Sequence, residues 1–400
     1  MTLVDVVIHP HLLLSLVSCM VSSVVFRCWL WLGVTTSLAI FLPLLKTQGL
    51  SQTAAPSSVS GLSTKRLQPA MNSIKSVADQ RPGNAQVVAR PSHTTFWQEQ
   101  LNQLDVSVVQ GNVGIGVLDL DTGESWFRNG KQRFPMQSVF KLPVGIVVLK
   151  LVDEGKLSLN QAVTITRQEF APGWSPILKE IKGDRAQFTL QDLLQRAVGE
   201  SDNTAADALV RLVGGTEQVT AMLQTMNLRD IRVDRLEQQL QPDCVGLANF
   251  RPELADEQKY QEAVKQVPDA VKQAALAKYL IDPRDTATPE GMVDLLAKLQ
   301  SRQLLSPDST ELLLKIMSSS PTGQQRLKAG LARTWEIAHK TGSGPEVVGV
   351  GTATNDVGIL SSAQGKRVVI AVFIAGSKAP VEQRERMMAT VASTVIKAIQ

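Results

Sequence analysis

Hydrophobic and polar positions divide the chain into three regions. Residues 12–45 are largely apolar apart from Arg27, and residues 56–92 are rich in Ser, Pro, Gln, Gly and Asn with little apolar periodicity. From about residue 93 the apolar positions recur with the spacings of helices and strands. The pattern predicts an apolar N-terminal segment, a flexible linker over residues 56–92 and a folded region over residues 93–400.

Both ends of the folded region carry the two-residue period of β-strands. The predicted strands are residues 113–120, 125–129, 347–360 and 366–374. The turn Asp121-Thr122-Gly123-Glu124 joins the first two strands as a hairpin. Amphipathic helices are predicted at residues 95–104 and 380–399. We expect an α+β fold, in which an antiparallel sheet from the N- and C-terminal parts is flanked by helices.

The middle of the chain has the 3.6-residue period of helices and predicts an inserted all-helical lobe. Its helix starts carry capping residues, as in Thr288-Pro289-Glu290. The predicted helices are residues 189–198, 204–212, 216–226, 252–280, 288–299 and 307–318. The active site is expected where the sheet and this lobe meet.

Charge and composition exclude several classes of function. A net charge of +4 spread over 400 residues does not indicate nucleic-acid binding, although it suits a small anionic substrate. The cysteines Cys19, Cys28 and Cys244 are too few for a disulfide framework. A Ser-His-Asp triad would need His93 or His339, and neither accompanies a Gly-x-Ser-x-Gly elbow. No metal or cofactor is expected.

Candidate chemistry begins at Phe134-Pro135-Met136-Gln137-Ser138-Val139-Phe140-Lys141. A turn gives way here to a helical pattern, so Ser138 should lie at a helix start, where free N–H groups stabilise developing negative charge. Lys141 lies three residues later, on the same helical face. A serine needs a nearby base to act as a nucleophile, and a lysine serves when its neutral form is favoured. A capping serine followed by a surface lysine is the alternative.

Two further motifs support the catalytic interpretation of Ser138 and Lys141. Ser201-Asp202-Asn203 follows a predicted helix, and Lys340-Thr341-Gly342-Ser343-Gly344 precedes a β-patterned stretch. Ser-x-x-Lys, Ser-Asp-Asn and Lys-Thr-Gly in this order form the signature of class A β-lactamases and penicillin-binding proteins.

From about residue 94 to residue 400 the sequence resembles the class A serine β-lactamases, with features of the subgroup that contains the PER-type enzymes. Gln137, His339 and Ala353-Thr354-Asn355-Asp356 carry the resemblance to that subgroup. The resemblance implies a nucleophile at Ser138, with Lys141 as its partner.

The resemblance also assigns roles in proton transfer and substrate binding. Ser201 would be a proton shuttle and Asn203 a ligand of the substrate side-chain amide. Lys340, Thr341 and Ser343 would bind the β-lactam carboxylate, and the backbone N–H groups of Ser138 and Ser343 would form the oxyanion hole.

Three residues have two interpretations each. Arg326 stands where the subgroup carries a second carboxylate-binding arginine, but it could be a solvated charge at a helix end. Trp174, at the turn Gly173-Trp174-Ser175-Pro176, is either a core residue or a wall of the cleft. Glu237 is either a surface carboxylate or the base that activates the deacylating water.

Glu237 separates the candidate enzyme classes. By resemblance, Arg235 and Asp285 form the ion pair that closes the loop carrying Glu237. Two departures from the family are Gln241 in place of an asparagine and about 35 additional residues within residues 242–280.

We therefore expect hydrolysis of the β-lactam ring of penicillins and cephalosporins through an acyl-enzyme. The alternatives are a D-alanyl-D-alanine peptidase or other penicillin-binding enzyme, and a β-lactam sensor that stays acylated.

The N-terminal segment predicts an exported protein. Residues 1–55 are interpreted as a signal peptide or a membrane anchor, the anchor being residues 28–45. The expected location is the periplasm or the exterior of the cell. The expected partner is a small-molecule β-lactam, with no nucleic acid, a membrane tether if the leader is retained, and a monomeric state.

Overall fold

The computed structural model describes residues 95–399. The predicted export signal or anchor and the predicted linker, residues 1–55 and 56–92, lie outside the described residues. The strands are β1 (Asn112–Asp119), β2 (Ser125–Arg128), β3 (Phe134–Pro135), β4 (Ala162–Thr166), β5 (Arg185–Thr189), β6 (Thr286–Ala287), β7 (Trp335–Ser343), β8 (Glu346–Val347), β9 (Val350–Ser362) and β10 (Arg367–Ser377).

The α-helices connect and cover these strands. They are α1 (Phe96–Asn102), α2 (Lys141–Asp153), α3 (Leu190–Leu194), α4 (Asn203–Leu212), α5 (Thr216–Thr225), α6 (Glu237–Val245), α7 (Glu257–Gln266), α8 (Asp269–Ile281), α9 (Pro289–Gln300), α10 (Pro307–Ser318) and α11 (Val381–Ile399). None of the helices within residues 95–399 is long and apolar enough to cross a membrane.

The main sheet is antiparallel and combines both ends of the folded region. Its strand order is β2-β1-β10-β9-β7, and β8 pairs with β9. The predicted α+β fold and the Asp121–Glu124 hairpin are confirmed. Strand β7, which begins at Trp335 and contains the Lys-Thr-Gly motif, was not predicted, and the β-patterned stretch after the motif contains β9.

The alternation of side chains along β10 explains how the sheet holds two cores. Val369 and Phe373 face the helical lobe, whereas Ile370 and Ile374 face α1 and α11. Both faces of the strand are therefore covered, and its side chains form an almost continuous apolar run.

The middle of the chain is mostly helical, as predicted, but it contains a small hairpin that the helical pattern did not indicate. Strands β4 and β5 pair antiparallel, from Ala162 opposite Thr189 to Thr166 opposite Arg185. Only Ile165 of β4 is buried, so the hairpin is a largely exposed ribbon with a weak hydrophobic signal. The predicted helix start at Thr288 is confirmed, since its hydroxyl accepts a hydrogen bond from Gly291 N.

The inserted segment, residues 242–280, folds into helices beside the loop that carries Glu237. After α6 comes a 3₁₀ turn (Pro252–Ala255), followed by α7 and α8. Tyr260, Leu276 and Tyr279 are buried there, as the helical spacing of apolar residues requires. Val271 was expected on the same apolar face, but its side chain is 44% exposed.

Candidate active site

Ser138 and Lys141 lie where a 3₁₀ turn passes into α2. The turn spans Gln137–Phe140, and Lys141 is the first residue of α2. Lys141 Nζ lies 3.0 Å from Ser138 Oγ. The lysine is completely buried and Ser138 is partly exposed, so the serine faces solvent and the amine lies behind it. This excludes the alternative of a surface lysine.

The Lys141 amine is the point on which the other candidate catalytic residues converge. It donates hydrogen bonds to Ser201 O at 2.8 Å and to Asn203 Oδ1 at 2.5 Å. Glu237 Oε1 lies 3.0 Å from the same nitrogen, and both side chains are fully buried. A buried amine needs such partners to offset the loss of water. The structure thus unites residues from three motifs distant in sequence.

Glu237 is held at the start of α6 by another buried carboxylate. Glu237 N donates to Asp207 Oδ1 at 2.7 Å, and Gln238 N donates to Asp207 Oδ2 at 3.2 Å. Burial, followed by the negative charge of Glu237, raises the pKa of Asp207 to about 7. Glu237 Oε2 accepts a hydrogen bond from Gln241 Nε2 at 2.8 Å, whereas Oε1 has only its ion-pair contact among the described residues. The alternative of a surface carboxylate is wrong.

The ion pair expected to close the Glu237 loop is present. Arg235 Nε lies 2.6 Å from Asp285 Oδ2, and Asp285 Oδ1 accepts backbone hydrogen bonds from Asp234 and Arg235. Arg235 also donates to the carboxylate of Asp243 at 2.8 Å. Because Asp285 follows the inserted segment, this contact joins the two ends of the enlarged loop.

Ser201 and Asn203 are positioned by a strained turn and a helix start. A short π-helix (Gln195–Gly199) leads to Ser201, whose φ is 66°. Asp202 then caps α4, because its side chain accepts a hydrogen bond from Ala205 N. Asn203 Nδ2 donates to Pro172 O at 2.8 Å, and Asn203 N donates to Trp174 O at 2.9 Å. The Ser-Asp-Asn motif therefore also fixes the Trp174 turn.

Trp174 is a surface residue at the rim of the cleft and not part of the core. Its side chain is 65% exposed, and its indole Nε1 donates to Glu200 O at 2.9 Å. This single hydrogen bond orients the ring while leaving much of it uncovered.

Lys340 projects from β7 towards Ser201. Its Nζ donates to Ser201 Oγ at 2.9 Å and to Thr341 O at 2.8 Å, and the side chain is fully buried. Burial, assisted by the positive charge of Lys141, lowers the pKa of Lys340 well below its usual value. Thr341 Oγ1 donates to Thr322 Oγ1 at 2.8 Å, and Ser343 is exposed at the end of the strand.

Arg326 lies behind the end of β7 and is buried, which rules out a solvated charge. It donates to Ser343 Oγ at 2.6 Å, Gly342 O at 3.2 Å and Asn355 O at 2.8 Å. Its Nε lies 3.1 Å from Glu385 of α11. The guanidinium thus brings positive charge to the strand that carries Lys340.

One group of contacts was not anticipated from the sequence. Gln137, immediately before Ser138, has φ of 47°, and its Nε2 donates to Tyr279 Oη at 2.6 Å and to Cys244 Sγ at 3.4 Å. Gln241 Nε2 donates to Gln137 Oε1 at 3.4 Å. Tyr279 looks like an ordinary core residue in the helical pattern of α8, so no sequence signal linked it to Ser138.

No group of His, Cys, Asp and Glu residues within residues 95–399 could hold a metal ion. The cleft combines a partly exposed serine hydroxyl, two lysines, a buried carboxylate and hydrogen-bond donors. This set can attack a carbonyl carbon, move protons and bind an anionic group.

Comparisons with known proteins agree with this geometry. Residues 97–399 match the family model described as the Beta-lactamase enzyme family. The chain is 33% identical to the extended-spectrum β-lactamase PER-1 of Pseudomonas aeruginosa over 298 residues, which cover 74% of this chain and 85% of that protein. It is 32% identical to β-lactamase VEB-1 of the same organism, over 70% of this chain and 83% of that protein.

Solved structures give the same result. A β-lactamase from Chitinophaga pinensis superposes with a TM-score of 0.64 at 30% identity, covering 76% of this chain and 99% of that chain. An ancestral class A β-lactamase superposes with a TM-score of 0.60 at 30% identity and the same coverage.

Proposed function

This chain belongs to the class A serine family of β-lactamases and hydrolyses the β-lactam ring, and from that premise we propose a role for each residue of the cleft. Ser138 is the nucleophile, Lys141 accepts its proton, Ser201 protonates the leaving nitrogen, and Glu237 activates the deacylating water. The substrates are penicillins and cephalosporins.

Acylation begins with attack of Ser138 Oγ on the lactam carbonyl carbon. The contact between Lys141 Nζ and Ser138 Oγ supports transfer of the hydroxyl proton to the buried amine of Lys141. The C–N bond of the ring then breaks, and Ser201 donates its proton to the nitrogen. Lys340, 2.9 Å from Ser201 Oγ, supports the return of a proton to Ser201.

Deacylation needs a water molecule and a base. Glu237 removes a proton from the water, the resulting hydroxide attacks the ester carbonyl, and Ser138 Oγ leaves with a proton. The anchoring of Glu237 by Asp207 and the amide of Gln241 beside Oε2 support this role. The Gln241 amide donates its hydrogen bond to that carboxylate oxygen and so orients the carboxylate.

The proposed substrate-binding residues lie on or beside β7 and in the segments of Asn203 and Trp174. Lys340, Thr341, Ser343 and Arg326 bind the β-lactam carboxylate, and their polar groups meet at one end of β7. Asn203 binds the side-chain amide, and Trp174 flanks the ring. The N–H groups of Ser138 and Ser343 stabilise the oxyanion.

A single observation carries this assignment, namely the convergence of Ser138, Ser201, Asn203 and Glu237 on the amine of Lys141. A peptidase or a permanently acylated sensor has no need of a buried carboxylate at this place. The β-lactamases among the relatives also favour the hydrolase over both alternatives.

The test separates acylation from deacylation with a chromogenic cephalosporin in stopped flow and mass spectrometry. Glu237→Gln keeps the size of the side chain and removes the base, so the burst should persist while the acyl adduct lasts about 10²- to 10⁴-fold longer. Ser138→Ala should give no adduct and no turnover. Glu262→Gln, on the exposed face of α7, is the matched control and should behave as wild type.

Two outcomes would contradict the assignment. An unaltered steady-state rate in Glu237→Gln would remove the glutamate from deacylation. Hydrolysis within tenfold of wild type in Ser138→Ala would remove the serine from the reaction, because loss of a nucleophile costs far more, about 10⁶-fold in a serine protease.

We further propose that the enzyme acts in the periplasm or outside the cell as a monomer. The apolar pattern of residues 12–45 and the kinship with class A β-lactamases support export. The apolar segment then serves as a cleaved signal or as a tether to the inner membrane. Cell fractionation combined with N-terminal sequencing of the mature protein distinguishes the two forms.

A further inference from the structure

We propose that His339 and Asp356 form a buried pair that positions Arg326 to bind the substrate carboxylate. This inference rests on the proposed function and deepens it, because none of the proposed chemical steps uses His339 or Asp356. Both residues belong to the motifs that carry the resemblance to the PER-type subgroup. His339 directly precedes Lys340 in β7, and Asp356 of β9 pairs with Thr341 of β7.

The His339–Asp356 pair lies on the face of β7 opposite to Lys340. His339 alternates with Lys340 along the strand and so shares the face of Ile337, which belongs to the core beneath α1 and α11. His339 Nδ1 lies 2.8 Å from Asp356 Oδ1, and the two side chains are 1% and 0% exposed. The pair is therefore buried behind the strand, and it can act on the reaction only through the groups that it holds.

The contacts of the imidazole ring indicate a neutral hydrogen-bond donor. Nδ1 faces a carboxylate, which only accepts, so Nδ1 carries the hydrogen. Nε2 of His339 is buried and has no hydrogen-bond partner among the described residues. An unpaired buried N–H of a charged ring would cost more free energy than the bare nitrogen of a neutral ring. The pair thus joins a neutral imidazole to the carboxylate of Asp356.

The other oxygen of Asp356 holds the segment that carries Arg326. Asp356 Oδ2 accepts a hydrogen bond at 3.1 Å from the backbone N–H of Leu327, which begins a 3₁₀ turn (Leu327–Gly330). The neighbouring residue in β9, Asn355, accepts a hydrogen bond from Arg326 Nη1 through its backbone oxygen at 2.8 Å. Two consecutive residues of β9 thus fix both the backbone beside Arg326 and its guanidinium group.

The chain before Arg326 packs directly on the pair. Gly323 has φ of 65°, and a Cβ placed on it would lie 2.5 Å from Thr341 Cγ2 and 3.2 Å from His339 Cε1. Gly323 O accepts a hydrogen bond from Arg326 N at 3.0 Å, which closes the turn between them. The turn therefore rests on the ring of His339, and a displacement of that ring would displace the backbone that places Arg326.

Asp356 also brings negative charge to the cations that would bind the carboxylate. Burial, followed by the charge of Lys141, lowers the pKa of Lys340, and the negative charge of Asp356 opposes this shift. A charged imidazole would cancel the charge of Asp356, whereas a neutral one keeps that charge and still fixes the carboxylate. His339→Asn supplies a neutral N–H near the position of Nδ1 and is therefore the replacement expected to preserve both effects.

The test compares a chromogenic cephalosporin with its C4 methyl ester, which lacks the carboxylate charge. His339→Leu removes the donor, and His339→Asn has the shape of His339→Leu but retains an N–H. We expect His339→Leu to raise KM for the carboxylate substrate by about tenfold at an almost unchanged kcat, the signature of lost binding. It should alter kcat/KM for the ester by less than about twofold, and His339→Asn should stay within about twofold of wild type for both substrates.

Ser309→Ala is the matched control, because it also removes a buried donor from a carboxylate. Ser309 Oγ donates to Asp153 Oδ1 at 2.6 Å, at the opposite end of α2 from Lys141. This variant should unfold at a lower temperature and leave the kinetics of both substrates unchanged. If His339→Leu does not fold, His339→Gln takes its place, since its amide lies one bond too far out to replace Nδ1 and should give the same selective rise in KM.

An equal loss of activity towards the carboxylate and the ester, or no loss towards either, overturns the proposal. A rise in KM as large in His339→Asn as in His339→Leu also overturns it, because the N–H at this place would then be irrelevant. Hydrolysis of the ester by each variant keeps these outcomes separate from the proposed function, which fails only in the Ser138 and Glu237 experiments. Thermal unfolding of each variant verifies that the protein is folded.

Discussion

Lys340 must satisfy two opposing demands at the scale of a single residue. Full burial beside Lys141 lowers its pKa well below the usual value, yet attraction of a substrate carboxylate requires the charged amine. The incoming carboxylate supplies the missing counter-charge. Substrate binding and protonation of Lys340 are therefore linked.

This linkage predicts a pH dependence of substrate binding. As pH rises through the lowered pKa of Lys340, the free enzyme loses its proton, so KM for a carboxylate-bearing β-lactam should rise while kcat changes less. Lys340→Arg keeps its charge over the same range, and its KM should stay flat with pH. The measurement is KM from pH 6 to 10 for both proteins, and parallel profiles would refute the link.

Sequence motifs identified the residues that the fold brings together in the cleft, but not the groups that hold them. Ser138, Lys141, Ser201, Asn203 and Lys340 were recognisable because each belongs to a short pattern of fixed spacing. Asp207 and Tyr279 belong to no such pattern. In the sequence, Asp207 resembles any polar residue of a helix, and Tyr279 resembles an aromatic residue of the core. Their roles depend on tertiary contacts that no local pattern encodes.

At the scale of elements, the inserted segment helps to position Gln137, the residue before Ser138. Tyr279 Oη of α8 accepts a hydrogen bond from Gln137 Nε2. Gln137 Oε1 in turn accepts a hydrogen bond from Gln241 Nε2, which also donates to Glu237 Oε2. Burial raises the pKa of Tyr279, so its hydroxyl stays protonated.

Tyr279→Phe should destabilise the protein and slow deacylation. It removes the oxygen acceptor of the buried Gln137 amide and leaves only the Cys244 thiol at 3.4 Å, and such a loss costs about 1–3 kcal/mol of unfolding free energy. The decay of the acyl adduct should slow while the burst of acylation is retained. Denaturant unfolding and stopped flow with a chromogenic cephalosporin measure the two effects.

Tyr260→Phe is the matched control for this prediction. Tyr260 is buried in α7 of the same segment, and its hydroxyl makes no hydrogen bond with the described residues. Its loss should change stability little and deacylation not at all. Equal effects of the two substitutions would show that Tyr279 acts only through packing.

Helices were predictable where their burial was one-sided. Helices α9, α10 and α11 begin within one residue of their predicted starts because capping residues or prolines precede amphipathic runs. The hairpin β4–β5 was missed because it is mostly exposed. Helix α6 was missed because its short polar sequence contains Pro242 and is fixed by Asp207 and by the ion pair of Arg235.

At the scale of the whole molecule, the buried carboxylate of Asp207 predicts a pH-dependent stability. Its pKa is about 7 in the folded protein against an ordinary value of 3.8. Between these values the folded state carries a proton that the unfolded state has lost, so this contribution to stability falls as pH rises. The slope is at most about 1.4 kcal/mol per pH unit and vanishes above pH 7.

Asp207→Asn removes this titration. The unfolding free energy of the variant minus that of wild type should therefore increase from pH 4 to pH 7 and then become constant. Urea unfolding at several pH values gives the difference. Asp308→Asn, at an exposed position in α10, should give a flat difference, and a flat difference for Asp207→Asn would contradict the prediction.

The pairing of β1 with β10 has a consequence for biosynthesis. Gly116 lies opposite Ala371, so the central pair of the sheet joins segments from opposite ends of the folded region. During translation the N-terminal strands can form only the β1–β2 hairpin, and an isolated hairpin is marginally stable at best. The sheet closes only after β9 and β10 have left the ribosome, which makes folding slow and late. A nascent chain in this state remains open enough to be threaded through a membrane pore before it folds.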